Sequence, residues 1–139
     1  MRTSDAEQVR AVHLFRDMDE GHFADLVAAA YLQRFPAQML LITEHERPDF
    51  LHVVCEGSVE LYSRHHRRET TVAVYRPFTT FILAAVVRDL PYLASGRTLE
   101  PSQILMLPAE AVRTAFDRDG AFARAIVREL SASFRGVMK

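Results

Sequence analysis

The sequence contains little cysteine and little glycine, and each shortage excludes a class of function. Cys55 is the one cysteine among 139 residues, so the chain can form no internal disulfide and cannot supply the four thiolates of an iron–sulfur cluster. Five glycines leave little material for the tight loops that cradle phosphates. No Gly-x-Ser-x-Gly or His-Glu-x-x-His motif occurs, so we expect a protein that is not an enzyme.

Long hydrophobic runs and an excess of one charge are also lacking. The longest apolar run, Phe81 to Val87, is far shorter than the roughly 20 residues that a membrane-spanning helix needs. The first residues have no apolar core of the kind that a secretory signal carries. The formal net charge is -1, which does not suggest a surface for nucleic-acid phosphates. We therefore expect a cytoplasmic protein that contacts no membrane and that binds DNA poorly by itself.

The sequence does contain a clear change in hydrophobic period. Helical spacing from Ala6 to Leu14 and from Asp19 to Ala30 predicts two helices. From Met39 to Tyr75 the period falls to two, in short runs separated by turn residues, which indicates strands. Thr79 to Arg88 is apolar on nearly every side and predicts a short buried helix, and Leu99 to Leu107 returns to strand. The length fits one domain.

A basic stretch from Arg64 to Arg68 separates two strand-like runs and predicts the tip of a hairpin. His65 and His66 are adjacent in it, so in a strand they would point to opposite faces and could not easily chelate one metal ion. Cys55 lies in a strand-like run just before the hairpin. That setting predicts a buried, unreactive thiol.

The most regular pattern lies at the end of the chain. Pro108 and Glu110 open a helix, because proline suits a first turn and acidic side chains favour its positive end. Asp117 to Gly120 closes that helix and caps a second one. In the second helix apolar residues recur at spacings of four and three, namely Ala123, Val127, Leu130, Phe134 and Val137. This heptad seam predicts a partner helix, whereas Phe122 and Ile126 beside it are expected to pack on the chain's own body. The alternative is one amphipathic helix buried within the monomer.

Three stretches carry a resemblance to one family. Leu14 to Met18 resembles its start, Arg47 to Tyr62 its central strand pair with Gly57 as the turn residue, and Leu99 to Glu110 its last strand and the helix after it. The chain is thus similar, from Leu14 onward, to the cyclic-nucleotide-binding-like sensory domain of CRP/FNR transcription regulators. The resemblance implies a mainly β fold with flanking helices, a double-stranded β-helix (jelly-roll-like β-roll) plus a long C-terminal dimerisation helix.

The resemblance also implies an organisation and a function. Residues 1–118 would form the sensory β-roll with its N-terminal helices, and residues 119–139 the dimerisation helix. The family's DNA-binding helix-turn-helix is absent from this chain, so we expect a homodimer through the C-terminal helix that reaches DNA only through that missing module. The implied function is effector sensing and dimerisation in a bacterial regulator. The alternatives are a ligand-free β-roll dimerisation module and a degenerate cyclic-nucleotide-binding domain.

The stretches that hold the nucleotide in this family are altered here. In nucleotide-binding members a Phe-Gly-Glu motif supplies the glutamate for the ribose hydroxyl, and an Arg-Ser/Thr-Ala motif supplies the arginine for the cyclic phosphate. The matching stretches are Phe81-Ile82-Leu83 and Tyr92-Leu93-Ala94, so Leu83 and Tyr92 replace both polar anchors. This replacement implies that cyclic AMP is not the ligand. Arg97 is a candidate substitute, but its odd offset from Tyr92 would point it to the opposite face of a strand.

The other candidate pocket residues are apolar or aromatic. They are Phe81, Ile82, Leu83, Val86, Tyr92 and Met106. Such a lining suits a flat hydrophobic cofactor, and resemblance to the nitric-oxide-responsive branch of the family implies haem. The alternative is that these residues are core and bind nothing.

Histidine is the residue type that could hold haem or a metal ion in this chain. The six histidines are His13, His22, His45, His52, His65 and His66, and they form no compact ligand motif. His13 directly precedes the Leu14 start and is the candidate haem ligand, the alternative being an exposed helix histidine. No other metal site is predicted.

Overall fold

The computed structural model describes residues 3–81 and 83–138, and the side chains of residues 6–81 and 83–132. In this part of the chain, two four-stranded antiparallel sheets enclose a common interior, and helices cover the outside of one sheet. The helices are α1 (Thr3–Arg10), α2 (Glu20–Ala28), α3 (Leu83–Arg88), α4 (Ala109–Arg118) and α5 (Gly120–Met138). The strands are β1 (Tyr31–Phe35), β2 (Leu40–Ile42), β3 (Phe50–Glu56), β4 (Val59–His65), β5 (Arg68–Tyr75), β6 (Thr79–Phe81), β7 (Ser95–Thr98) and β8 (Ser102–Pro108). The predicted β-roll with flanking helices and a C-terminal helix is confirmed.

The helix-facing sheet, in the order β1-β8-β3-β6, separates two hydrophobic cores. Successive side chains of β3 alternate between them, because the side-chain period of a strand is two. Leu51 and Val53 are fully buried against the helices, whereas Val54 packs inside the roll against the outer sheet, which has the order β2-β7-β4-β5. One sheet therefore supports both the helical layer and the roll interior.

The helical core is built on three aromatic rings from separate segments. Phe15 stacks on Phe122 of α5 with ring centres 5.9 Å apart, and it meets Phe23 of α2 at 6.2 Å. Helix α2 begins where the sequence predicts, because the Asp19 carboxylate accepts hydrogen bonds from the amides of Gly21 and His22 at 2.9 and 3.1 Å. These contacts fix α5 to the body of the domain.

Two strands lie in stretches for which the sequence predicted no regular structure. Strand β1 (Tyr31–Phe35) pairs with β8 along its whole length, although the prediction began the strands only at Met39. It lies at a sheet edge, and the residue before Pro36 favours extended backbone. The sequence of strand β7 (Ser95–Thr98) lacks the apolar alternation that is typical of a strand. Its inward position is Gly96, and the missing Cβ there lets Ile42 and Leu61 pack directly on the backbone.

Two predicted helices are shorter than expected. Helix α1 ends at Arg10, and turns follow where the prediction continued to Leu14. The apolar stretch from Thr79 to Arg88 divides into β6 and α3 rather than forming one helix. Pairing of β6 with β3 supplies backbone hydrogen bonds that the sequence alone does not reveal.

The predicted hairpin of β4 and β5 is present, with left-handed backbone at His66 and Arg67 in its turn. The rings of His65 and His66 lie 4.1 Å apart, which corrects the expectation that they point to opposite faces. The turn, rather than a strand, sets their direction. Gly57 has φ +88°, as a turn before β4 requires, and a Cβ there would lie 2.2 Å from the Ser102 hydroxyl oxygen. Cys55 is half-buried in β3 rather than fully buried.

The elbow between α4 and α5 is fixed by Asp119. Its buried carboxylate accepts hydrogen bonds from the amides of Phe122 at 2.8 Å and Asp19 at 2.9 Å, and it meets His22 Nδ1 at 2.9 Å. Burial acts to raise the pKa of Asp119, but the bonds from His22, Phe122 and Asp19 hold that pKa below its ordinary value. One side chain thus caps α5 and ties it to α2. No helix in the described residues is long and apolar enough to span a membrane.

Candidate ligand-binding site in the β-roll

The inner face of the helix-facing sheet carries a row of side chains across three neighbouring strands, β8, β3 and β6. In the strand register His52 of β3 lies opposite Phe81 of β6 on one side and opposite Met106 of β8 on the other. Directly opposed residues of an antiparallel pair have Cβ atoms about 4.5–5.5 Å apart. The three side chains therefore form one continuous patch that faces the interior of the roll.

Aromatic rings extend this patch in both directions. His52 stacks on Phe81 with ring centres 5.3 Å apart and planes inclined by 19°, and Phe81 meets Tyr75 at 5.5 Å. On the other side Phe50 meets His52 edge-on at 6.4 Å, and Tyr31 meets Phe50 at 6.0 Å. The wall is thus a chain of flat rings, which favours flat apolar partners.

His52 is the titratable group in the centre of this wall. It is only 4 % exposed, and removal from water lowers the pKa of its imidazole to about 4. No hydrogen bond or ion pair reaches its ring from the described residues. The ring is therefore neutral near pH 7, with a free lone pair on one nitrogen.

Tyr92 closes the other side of the interior. Its backbone amide donates to the Glu46 carbonyl at 2.9 Å, and its carbonyl accepts from the His45 amide at 2.8 Å. Its hydroxyl lies 3.4 Å from the Phe50 carbonyl oxygen. Burial, together with the nearby carboxylates of Asp49 and Glu46, raises the pKa of Tyr92 to about 12. Tyr92 therefore presents a neutral ring, held by the loop between β2 and β3.

No buried Asp, Glu, Lys or Arg side chain of the described residues lies in the interior. Near its margin, burial and the charge of Glu129 on α5 together raise the pKa of Tyr75. The buried members of the interior, which we call the roll cluster, are Ile42, Val54, Val59, Leu61, Phe81, Ala85, Tyr92, Ala94 and Ile104, with Phe35, Leu41, Tyr75 and Met106 partly buried at its margin. The buried carboxylate in the described chain is Asp119, which lies at the helical elbow. A group with a full negative charge would find no counter-charge in the roll cluster.

The structure brings together some of the predicted pocket residues and separates others. Phe81, Tyr92 and Met106 belong to the roll interior. Leu83 and Val86 on α3 are buried with the helical core instead. Ile82 lies outside the described residues. Leu83 therefore faces the helical core and does not line the interior of the roll, unlike the pocket position that the sequence suggested.

Arg97 lies apart from the other pocket candidates, in a polar network on the exterior of the outer sheet. Its guanidinium donates to Glu60 at 3.0 Å and to Glu69 at 2.9 Å, and it lies 4.2 Å from the centre of the Tyr62 ring. Hydrogen bonds from Thr71 and then Arg97 hold the pKa of Glu60 below its ordinary value. Both of its charge partners are already engaged there, so Arg97 does not serve the roll interior.

His13 also lies away from the roll. It is exposed in the turns after α1, and its neighbours Val12 and Leu14 pack in the helical core. No three His, Cys, Asp or Glu side chains of the described chain are grouped so that they could hold a metal ion. If the interior binds a metal centre, that centre must bring most of its ligands with it.

The predicted seam on α5 is only partly covered by the chain itself. Val127 is 56 % exposed, Ala123 is half-buried, and Leu130 packs against the helical core. The side chains of Phe134 and Val137 lie outside the described residues. Phe122 and Ile126 are buried in the domain, as the sequence predicts.

Sequence reasoning missed His52 as a member of the site. The signal was present, because His52 lies two residues before Val54 and therefore on the same face of β3. What the sequence could not supply is the pairing of β6 with β3, which places Phe81 against the imidazole.

The fold is a β-roll with a helical flank. Residues 32–119 match the family model of the cyclic nucleotide-binding domain, which covers more than half of the chain. The chain therefore belongs to the cyclic nucleotide-binding domain family. No curated protein sequence matches it.

Solved structures with this fold include regulators of the CRP/FNR type. The sensor domain of the transcriptional regulator DNR from Pseudomonas aeruginosa is 21% identical, with a TM-score of 0.82 over 92% of this chain and 91% of that one. The catabolite activator protein of Thermus thermophilus is 19% identical, with a TM-score of 0.77 over 90% of this chain and 59% of that one.

A domain of another kind has the same fold. The regulatory domain of Toxoplasma gondii PKA, solved with cAMP, is 20% identical, with a TM-score of 0.76 over 83% of this chain and 46% of that one. This chain spans less than two thirds of the length of the first solved chains that it matches. At these identities the likenesses establish the fold alone.

Proposed function

We propose that this chain is the effector-sensing and dimerisation part of a CRP/FNR-type transcription regulator, and that its effector is flat and apolar rather than a cyclic nucleotide. The observation that carries the proposal is that no buried Asp, Glu, Lys or Arg side chain of the described residues lies in the roll, since the buried one, Asp119, is at the helical elbow. A binding domain, not an enzyme, is what such an interior supports, and we place it in the cytoplasm.

The phosphate of cyclic AMP would find no cationic partner in the roll interior. A phosphate that leaves water needs charge-assisted hydrogen bonds, which an arginine supplies in a bidentate manner. Tyr92 offers one weakly acidic hydroxyl instead, and Arg97 is bound to Glu60 and Glu69 on the exterior. Leu83 cannot accept a hydrogen bond from the ribose. A nucleotide in this interior would lose its hydration without replacement.

Haem is the candidate cofactor, because the chain resembles the nitric-oxide-responsive branch of the CRP/FNR regulators. The fit rests on His52, a buried imidazole without a partner in the described chain, and on the aromatic wall of Phe81, Tyr75 and Phe50. When bound, haem would supply an iron that takes up diatomic gases. The chain's own part would be to hold the ring in a dry, aromatic interior.

The proposal assigns residues 1–118 to sensing and residues 119–139 to dimerisation. Helix α5 would pair with a second copy through the exposed edge of its seam, at Val127. DNA binding would be the part of a helix-turn-helix module. Ligand in the roll would act on the dimer only if it binds two helix arrangements with different affinity.

The test is the absorbance of the purified protein. Addition of haem should give a shifted Soret band, and nitric oxide should shift that band again. An unshifted band that does not respond to nitric oxide would favour the rival interpretation, a ligand-free β-roll that serves only as a dimerisation module.

A further inference from the structure

We propose that His52 is the recognition residue of the roll interior, and that it binds a flat, largely apolar ligand through an electron-pair acceptor on that ligand. The acceptor is either an N–H or O–H group or a metal centre that the ligand carries. This inference rests on the proposed function, because it presumes that the roll interior binds a ligand.

His52 has no hydrogen-bond partner in the described part of the chain. The residue is 4 % exposed, and no described residue bonds to its ring. Its ring nitrogens are not among the fully enclosed, unpartnered side-chain atoms of the described residues, so they keep contact with solvent and can meet a small molecule. The neighbouring positions on the inner face carry Phe81, Met106 and Val54, so the site would accept an apolar residue.

The His52 side chain points into the roll. His52 shares the inner face of β3 with Val54, which belongs to the roll cluster. Its ring stacks on Phe81, another member of that cluster, so it points into the roll rather than toward the helices. An imidazole without a hydrogen-bond partner in the described residues therefore faces the interior of the roll.

The class of ligand follows from the surroundings. The rings of Phe50 and Phe81 on either side of His52 favour a flat molecule, and the lack of charge disfavours an ionic group beside them. The neutral imidazole offers a lone pair, which can accept a hydrogen bond or coordinate a metal. Since the described residues contain no cluster that could hold a bare metal ion, such a metal must arrive inside a ligand.

The experiment compares two probes that share this chemistry, indole with its N–H group and haem with its iron. Wild-type protein and the variant His52→Phe are titrated with each, by fluorescence for indole and by Soret absorbance for haem. We expect His52→Phe to weaken the binding of whichever probe binds wild-type protein by at least tenfold. Binding of indole but not haem would show that the ligand is held by a hydrogen bond. Binding of haem but not indole would show that the ligand carries a metal.

Two control variants separate recognition from packing. Met106→Leu changes the cross-strand neighbour without removing a lone pair, and His13→Phe removes the alternative histidine on the helical side. Both should bind within about twofold of wild type. For haem, free imidazole should restore the Soret band of His52→Ala, because it replaces the lost ligand in the cavity left behind.

Stability provides a second readout, which a purely structural role would move the other way. At pH 7, His52→Phe should keep or raise the thermal midpoint, since it places an apolar ring among Phe81, Met106 and Val54 and breaks no hydrogen bond of the described residues. A clear fall in the midpoint, or equal probe binding by wild type and His52→Phe, would overturn the inference. Failure of wild-type protein to bind either probe would overturn it as well. A saturable heat with cyclic AMP that survives His52→Phe would instead count against the proposed function.

Discussion

His52 gives the domain a specific sensitivity to acid. The folded protein holds its pKa at about 4, against 6.5 for the ordinary residue. As pH falls below 6.5, the unfolded chain takes up a proton that the folded chain refuses until about pH 4. The contribution of His52 is therefore complete above pH 6.5 and is lost as pH falls through that window, by up to about 3 kcal/mol at 1.36 kcal/mol per pKa unit.

Urea unfolding between pH 4 and pH 7 measures this loss. The free energy of unfolding of wild type should fall more steeply than that of His52→Phe, and the two curves should diverge below pH 6.5. His13→Phe is the matched control and should follow wild type, because His13 is exposed. Parallel curves for wild type and His52→Phe would show that His52 is not desolvated in solution.

At the scale of single elements, the elbow at Asp119 controls how α5 begins. Replacement of Asp119 by alanine removes the cap at Phe122 and the bonds to Asp19 and His22. Loss of a cap and of a buried charged acceptor should lower the free energy of unfolding by about 2–3 kcal/mol. Chemical denaturation measures the change.

Asp117 supplies the matched control for that substitution. It is an exposed carboxylate two residues away on α4. Asp117→Ala should change the free energy of unfolding by less than about 0.5 kcal/mol. Similar losses in the two variants would mean that Asp119 does not fix the elbow.

Elements with local signals could be predicted from the sequence, and elements that depend on distant partners could not. The start of α2 after Asp19, the cap within Asp117 to Gly120 and the turn at Gly57 depend on local residues, and all three lie where the sequence predicts them. Strand β7 forms because β2 and β4 flank it, so its own residues carry no signal. The site follows the same rule: the sequence alone predicts that Leu83 and Tyr92 replace the polar anchors, whereas the stacking of His52 on Phe81 requires the fold.

At the scale of the whole molecule, the proposed regulatory function requires that two chains pair through α5. The exposed Val127 is the described seam residue with the most uncovered surface. Val127→Glu would place a charge in a helix pair and should convert the protein to a monomer, as measured by sedimentation velocity. Arg128→Ala, a neighbouring exposed position outside the seam, should remain dimeric. A wild-type protein that sediments as a monomer at tens of micromolar would contradict the dimer proposal.

Whether the roll interior binds a cyclic nucleotide is decided by calorimetric titration with cyclic AMP. Without a cationic anchor in the roll cluster, we predict a flat trace at concentrations where a micromolar site, worth about -8.2 kcal/mol, would saturate. The same titration with 5′-AMP is the control for nonspecific heat. A saturable heat with cyclic AMP and none with 5′-AMP would contradict the account.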